Sequence, residues 1–253
     1  MTVDLHCSVA GSGRDLVLLH PVGLDHTFWG ALAALPSHRV VSVDLRGHGA
    51  SPRAGRDTTL DDFADDVHAA IARHCERPVT VLGLSFGGML AQTLALRHPD
   101  DVAALVLSGC GGGFAPEIRP VLRERGLAAE RDGMAAVVEP TIGRWFTATF
   151  CDDPEVARVR ARLRTNDVAS WSAAWHAIAT FDAFDRLGEV RAPTLVIAGE
   201  ADAATPVAAA TRLAQSLPNA RLHVLQGAPH MMQIERSAEY QRAVQDFLGE
   251  LDG

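Results

Sequence analysis

Short apolar segments recur along the chain, and each is bounded by glycine, proline or polar residues. They occupy positions 16–19, 40–43, 79–82, 104–107, 195–198 and 222–225. Apolar and polar residues do not alternate within them, which is typical of strands that are covered on both faces of a parallel sheet. The pattern therefore predicts one strand of such a sheet at each of these positions.

Helical patterns fill most of the intervals between these segments. Apolar residues at positions 60, 63, 67 and 71 repeat at helical spacing, Thr59 precedes them as a candidate N-cap, and Asp62 completes the spacing of a capping box. Further helical patterns cover 89–96, 208–217 and 237–248. Strands that alternate with helices predict an α/β fold with a doubly wound, mostly parallel sheet. We assign the core of this fold to 1–111 and 187–253.

The alternation stops over 112–186, where helical or irregular patterns replace the strand signal. This segment contains Trp145, Trp171 and Trp175 in a chain with only 4 tryptophans. We interpret it as a helical cap inserted over the carboxyl edge of the sheet, which is where α/β folds bind ligands. The three tryptophans are then candidate substrate-binding residues, although large rings also serve to pack a small subdomain onto its core.

The composition limits the classes of protein to which the chain can belong. With 47% hydrophobic residues in a length of 253, it can build one sizeable core. Its 23 basic against 31 acidic residues leave a net charge of -8, the opposite of what nucleic-acid binding needs. No segment has the apolar length that a membrane-spanning helix requires. We therefore expect a small-molecule substrate as partner, with no nucleic acid and no membrane, and the pattern leaves a homo-oligomer open.

The cysteine and histidine positions bear on compartment and cofactors. The 4 cysteines show no CxxC spacing and are too few for a disulfide scaffold, so we expect reduced thiols in a cytoplasmic protein. The 11 histidines form neither an HExxH motif nor a Cys/His ligand cluster. The sequence therefore predicts neither a metal nor a cofactor.

A GxSxG motif at 83–87 stands between the predicted strand 79–82 and the predicted helix 89–96. In this context the motif is typical of a nucleophile elbow, a strained turn that exposes a serine hydroxyl above the sheet. The flanking glycines are needed because side chains there would collide with the neighbouring strand and helix. Ser85 is therefore the candidate nucleophile.

A serine nucleophile needs a base, and the base needs an acid that orients it. His230 follows the last predicted strand, and Asp202 follows the strand before it, so the chain order matches that expected for this fold. Glu200 is the rival acid, but the loop length favours Asp202. The loop 108–113, which supplies the acid in some hydrolases, contains no carboxylate.

An oxyanion hole needs two backbone N–H groups, one after the nucleophile and one from the loop after an earlier strand. Phe86 supplies the first. We assign the second to Val22, because Pro21 has no N–H. The glycine-containing loop 44–51 lacks the third glycine of a dinucleotide motif and opens no helix, so we interpret it as a structural turn.

These motifs resemble those of the α/β-hydrolase superfamily, and the resemblance covers nearly the whole chain. It depends on the loops 20–23 and 44–51, on Ser85, on the Asp202 loop with 205–206, and on 229–230. Residues 143–147, 182–187 and 191–194 are most similar to those of 3-oxoadipate enol-lactonases and their close relatives. The resemblance implies an α/β-hydrolase fold with an inserted cap, and a lactonase of aromatic compound catabolism that cleaves an ester or lactone.

Other activities remain open beside the lactonase. A general carboxylesterase or a cofactor-free, haloperoxidase-like hydrolase would use the same triad and oxyanion loop, and a non-catalytic ligand-binding protein is a third class. A lactone that carries a carboxylate would need a local cation in a protein of net charge -8. Arg144 and Arg131 are the candidates for that cation.

Overall fold

The computed structural model describes residues 1–252 and shows a seven-stranded sheet flanked by helices. The order across the sheet is β1-β3-β2-β4-β5-β6-β7. All neighbouring pairs are parallel except β1 with β3, which is antiparallel. The strands are β1 (Cys7–Gly11), β2 (Arg14–Leu19), β3 (His38–Val43), β4 (Val79–Leu84), β5 (Val102–Ser108), β6 (Thr194–Gly199) and β7 (Ala220–Leu225).

The doubly wound, mostly parallel α/β sheet predicted from the apolar segments is confirmed. Each predicted segment lies within one of the strands β2 to β7. The pattern of apolar segments does not predict β1, which lies at the edge of the sheet and pairs with β3, Cys7 opposite Val43. None of the five residues of β1 is buried, and such an edge strand needs no apolar segment of the kind that marks an interior strand.

Nine α-helices occur in the described part of the chain. They are α1 (Leu60–His74), α2 (Phe86–Arg97), α3 (Arg119–Asp132), α4 (Met134–Trp145), α5 (Pro154–Arg164), α6 (Val168–Thr180), α7 (Val207–Ser216), α8 (Met232–Glu235) and α9 (Ser237–Asp252). No helix within 1–252 combines the length and the hydropathy needed to cross a bilayer.

The ends of the helices show how local sequence sets their bounds. At the start of α1, the Thr59 side chain accepts from the Asp62 backbone N–H and the Asp62 carboxylate accepts from the Thr59 N–H, so the predicted capping box is present. Helix α2 begins at Phe86, earlier than the predicted residue 89. It therefore starts directly after Ser85, which places its first turn at the candidate site.

Helices α3 to α6 all lie within the segment 112–186, between β5 and β6. The two ends of this segment meet in an antiparallel bridge between Gly113 and Asp182, and the Ala183 N–H donates to the Gly112 carbonyl at 2.7 Å. Ser170 of α6 reaches the core, because the Ala54 N–H donates to its Oγ at 3.1 Å. The helices of this segment thus contact loops at the carboxyl edge of the sheet.

Candidate active site

Ser85 stands between β4 and α2 with a backbone conformation that is uncommon for a residue with a side chain. Its φ is 54° and its ψ is -111°, outside the regions that ordinary residues prefer. A Cβ at Gly83 would collide with the Gly87 backbone, and one at Gly87 would collide with the Leu19 carbonyl. The Ser85 N–H donates to the Ser108 carbonyl on β5 at 2.8 Å. The turn is therefore held from both sides, as a nucleophile elbow requires.

His230 and Asp202 form a buried pair at the ends of the last two strands. The His230 Nδ1 lies 2.8 Å from the Asp202 Oδ2, and the two residues are 2% and 6% exposed. The other carboxylate oxygen, Oδ1, accepts from the Ala204 and Thr205 N–H groups at 2.7 Å each. An aspartate that accepts at both oxygens holds the proton on His230 Nδ1 and leaves Nε2 free to act as a base.

Glu200, the rival acid, is engaged elsewhere. Its Oε2 accepts from the Gly227 N–H at 2.9 Å, so this carboxylate stabilises the turn that precedes His230 and does not contact the imidazole. Ser85 and His230 line the same cavity. Within residues 1–252 no hydrogen bond joins them, which is common in unliganded hydrolases because catalytic hydrogen bonds tighten when substrate binds.

The loop at 20–24 forms a tight turn beside Ser85. The Leu24 N–H donates to the Pro21 carbonyl, and Gly23 has a φ of 82°, which a side chain would disfavour. Among the described residues the Val22 N–H has no hydrogen-bond acceptor. The Phe86 N–H, in the first turn of α2, has no partner within its own helix. Two backbone donors are thus available near Ser85, at the positions predicted for the oxyanion hole.

His20 holds this loop in place, a role that the sequence analysis did not assign. Its Nδ1 lies 2.8 Å from the Pro21 carbonyl, and its Nε2 accepts from the Leu45 N–H at 3.0 Å. Since Nε2 accepts, Nδ1 carries the proton and the ring is neutral. Burial lowers the pKa of His20 to about 4 and that of the neighbouring His48 to about 3. A charged ring would lose the bond from Leu45.

The segment 112–186 also contacts the loop at 20–24 and the residue that follows it. A Cβ added at Gly23 would lie 2.6 Å from the Trp171 Cζ3. The Asn166 Nδ2 donates to the Gly23 carbonyl at 2.9 Å, and Arg162 pairs with Asp25 at 2.6 Å. The position of the loop therefore depends on residues far away in the sequence.

The predicted aromatic residues divide into two groups. Trp145 and Trp175 line the cavity that contains Ser85 and His230. Trp171 does not line that cavity; it packs against Gly23 and borders a separate groove between α3 and α4. The cavity at Ser85 measures about 30 Å³, the space of one water molecule. A substrate must therefore displace side chains of the cap to reach the serine.

The candidate cations differ in their surroundings. Arg131 is exposed and pairs with Glu124 and Asp132, so it is not available to a substrate. Arg144 is half-buried and borders the groove between α3 and α4. Arg125, which the sequence analysis missed, borders both this groove and the Ser85 cavity. Its position on α3 carries no local sequence signal.

Two clusters outside this cavity bring together groups that could ligate a metal ion. They are His6 with His26 and Asp44, and His68 with His98 and Asp101. In the first, His26 already pairs with Asp44 at 2.8 Å. Neither cluster includes a residue that lines the Ser85 cavity.

Comparison with known proteins agrees with this fold and these motifs. Residues 16–243 match the model of the alpha/beta hydrolase family, and the chain belongs to that family. It is 31% identical to a pimeloyl-[acyl-carrier protein] methyl ester esterase of Chromobacterium violaceum, over 97% of this chain and 98% of that protein. It is 26% identical to 3-oxoadipate enol-lactonase 2 of Acinetobacter baylyi, over 91% of this chain and 86% of that protein.

A solved structure is similar over almost the same length. The enol-lactonase from Burkholderia xenovorans superimposes with a TM-score of 0.89 at 29% identity, and the match covers 97% of this chain and 96% of that one. The resemblance to the α/β-hydrolase superfamily, with enol-lactonases among its relatives, is thus confirmed, and methyl ester esterases are relatives as well.

Proposed function

We propose that this protein is a carboxylic ester hydrolase in which Ser85 is the nucleophile, His230 the base and Asp202 the orienting acid. The observation that carries the proposal is the His230–Asp202 pair, 2.8 Å apart and buried beside the strained Ser85 turn. A non-catalytic binding protein would have no use for a base that is fixed in one tautomer beside such a serine.

The reaction proceeds in two halves. His230 Nε2 takes the Ser85 proton while Oγ bonds to the ester carbonyl carbon, and the Val22 and Phe86 N–H groups stabilise the oxyanion. The C–O bond to the alcohol then breaks, and the alcohol leaves with the proton from His230. Water gives a proton to His230 and its hydroxide to the acyl carbon, after which the acid departs and the proton returns to Ser85.

The relatives indicate which esters to test. The esterase of Chromobacterium violaceum supports a methyl ester, whose small alcohol group would displace the fewest side chains around the cavity of about 30 Å³ at Ser85. A lactone is the second candidate, because the enol-lactonase structure superimposes over nearly the whole chain. Both substrates would be attacked by the same residues, and they differ only in whether the alcohol departs or stays attached.

The first experiment compares wild type with Ser85→Ala on a panel of methyl esters and lactones. We expect kcat/KM to fall by several orders of magnitude in the variant, on the order of the 10⁶ that deletion of a catalytic serine costs elsewhere. A fluorophosphonate probe should label the wild type at Ser85 and leave Ser85→Ala unlabelled, as shown by mass spectrometry of the peptide. Equal turnover by the two proteins would refute the proposal.

A further inference from the structure

Two arginines of the cap are half-buried without an acidic partner. Most partly buried arginines within 1–252 form an ion pair with a carboxylate: Arg39, Arg46, Arg119, Arg160, Arg162 and Arg236. In the same part of the chain, Arg125 and Arg144 are the exceptions. The Arg144 Nη2 has only a long contact of 3.4 Å to the Thr141 hydroxyl. Burying a charge without a counter-charge is costly, so the two sites need an explanation.

The two guanidinium groups border one groove. It lies between α3 and α4, has a volume of about 550 Å³ and is lined mainly by apolar residues, including Val137 and Trp171. Its one acidic residue, Glu124, pairs with Arg131. With two arginines and one glutamate in its wall, the groove has an excess of positive charge in a protein whose net charge is -8, and no acid of the described chain forms an ion pair with Arg125 or Arg144.

Arg125 connects this groove with the nucleophile. It borders both the groove and the Ser85 cavity, and its guanidinium lies 4.8 Å from the centre of the Trp175 ring. The Trp175 Nε1, in the wall of the Ser85 cavity, is buried and has no hydrogen-bond acceptor among the described residues. Trp175 and Arg125 thus border the Ser85 cavity, and Arg125 borders the groove as well.

We infer that Arg125 and Arg144 bind a carboxylate at the far end of the substrate while its ester carbonyl lies at Ser85. The inference rests on the proposed function and narrows it: the substrate is a monoester or a lactone of a dicarboxylic acid. Burial and the charge of Arg144 lower the pKa of Arg125 to about 10. A carboxylate between the two guanidinium groups offsets both the cost of burying Arg125 and its repulsion by Arg144, because it supplies a counter-charge and hydrogen-bond acceptors.

The test compares a charged ester with a neutral one of nearly the same shape. Monomethyl adipate carries the distal carboxylate, and dimethyl adipate does not. We expect wild type to prefer the monoester in kcat/KM by about 10- to 100-fold, the range for hydrogen bonds to a charged group. Arg144→Gln and Arg125→Gln should each lower this preference by tenfold or more, chiefly through KM. Arg123→Gln, an exposed arginine on the same helix, is the matched control and should keep the preference.

A binding measurement separates this inference from the proposed function. Calorimetry of adipate with Ser85→Ala should show binding that is lost when Arg144→Gln is added and retained with Arg123→Gln. If esters are hydrolysed through Ser85 without any preference for the monoester, the proposed function stands and the carboxylate site is refuted. If no ester is hydrolysed through Ser85, the proposed function fails, and adipate binding still decides the site. Inorganic phosphate that binds more tightly than adipate would overturn the assignment to a carboxylate.

Discussion

Asp202→Asn tests the role proposed for Asp202 in the triad, because the two carboxylate oxygens of this residue have different hydrogen-bond partners. In the wild type, Oδ1 accepts from the Ala204 and Thr205 N–H groups, and Oδ2 lies 2.8 Å from His230 Nδ1. An asparagine must point its oxygen at the two backbone donors, since the opposite orientation would leave both without an acceptor. Its NH₂ group then faces His230 Nδ1, which must accept. The proton moves to Nε2, and the imidazole can no longer take the Ser85 proton.

The wrong tautomer should cost about 10⁴ in kcat, as it does in other serine hydrolases with this substitution. At about 1.36 kcal/mol for each tenfold change, the barrier rises by about 5 kcal/mol. The cost to binding should be small, so KM for a methyl ester changes little. Steady-state kinetics with Ser85→Ala as the floor measures both quantities, and circular dichroism shows whether the fold is retained.

Glu200→Gln is the matched control. Its Oε2 accepts from the Gly227 N–H at 2.9 Å and does not contact His230. The amide oxygen of glutamine can accept the same bond, so we expect kcat within about twofold of wild type. If Glu200→Gln lost activity as strongly as Asp202→Asn, or if Asp202→Asn kept wild-type kcat, the assignment of the acid would be wrong.

Three further predictions concern the loop at 20–24, two buried histidines and a buried cysteine. Gly23→Ala should lower kcat by about 10² to 10³, the cost of losing one oxyanion donor. The added Cβ would lie 2.6 Å from Trp171 and displace the turn that carries the Val22 N–H. A kcat equal to that of the wild type would contradict the prediction. In the folded protein, His20 and His48 have pKa values of about 4 and 3 and stay neutral, whereas in the unfolded chain both gain protons near pH 6.5. The free energy of unfolding should therefore fall by about 4 kcal/mol between pH 7 and pH 5, as measured by urea titration. A free energy of unfolding that does not change over this range would refute the prediction. Iodoacetamide at pH 8 should modify Cys110 only after unfolding, because burial raises the pKa of this thiol to about 12; its labelling in the native protein would show that the core opens.

The sheet and the elements next to Ser85 could be predicted because their signals are local. Each interior strand contains a run of mostly apolar residues, and the GxSxG motif at 83–87 must follow a strand and open a helix if it is to expose a serine. The parallel sheet then brings the ends of β4, β6 and β7 to one edge, so the sequence predicts that Ser85, Asp202 and His230 lie close together. Strand β1 lacks such a signal, since it lies at the edge and leaves its side chains partly in water.

The cap could not be predicted in the same way, because its contacts join residues that are distant in sequence. Trp171 packs behind Gly23, and its Nε1 donates to the Arg125 carbonyl at 3.1 Å, but it also borders the groove between α3 and α4. A tryptophan is common both in cores and in binding sites, so its presence does not distinguish the two roles. The role of His20 in holding the loop at 20–24 could not be predicted either, because its hydrogen bonds to Pro21 and Leu45 form only where two loops meet in the folded protein.

A half-buried charge is more informative than an aromatic ring, because it has a cost that something must offset. Whether an arginine has an acidic partner can be seen only in the folded structure, because the carboxylates near it come from distant parts of the sequence. Arg131 and Arg144 are equally basic in the sequence, but Arg131 is exposed with two acids as partners, whereas Arg144 has none among the described residues. A half-buried arginine without an acidic partner is therefore a better guide to substrate selection than a tryptophan, and this is the physical basis for the prediction that Arg125 and Arg144 bind the substrate carboxylate.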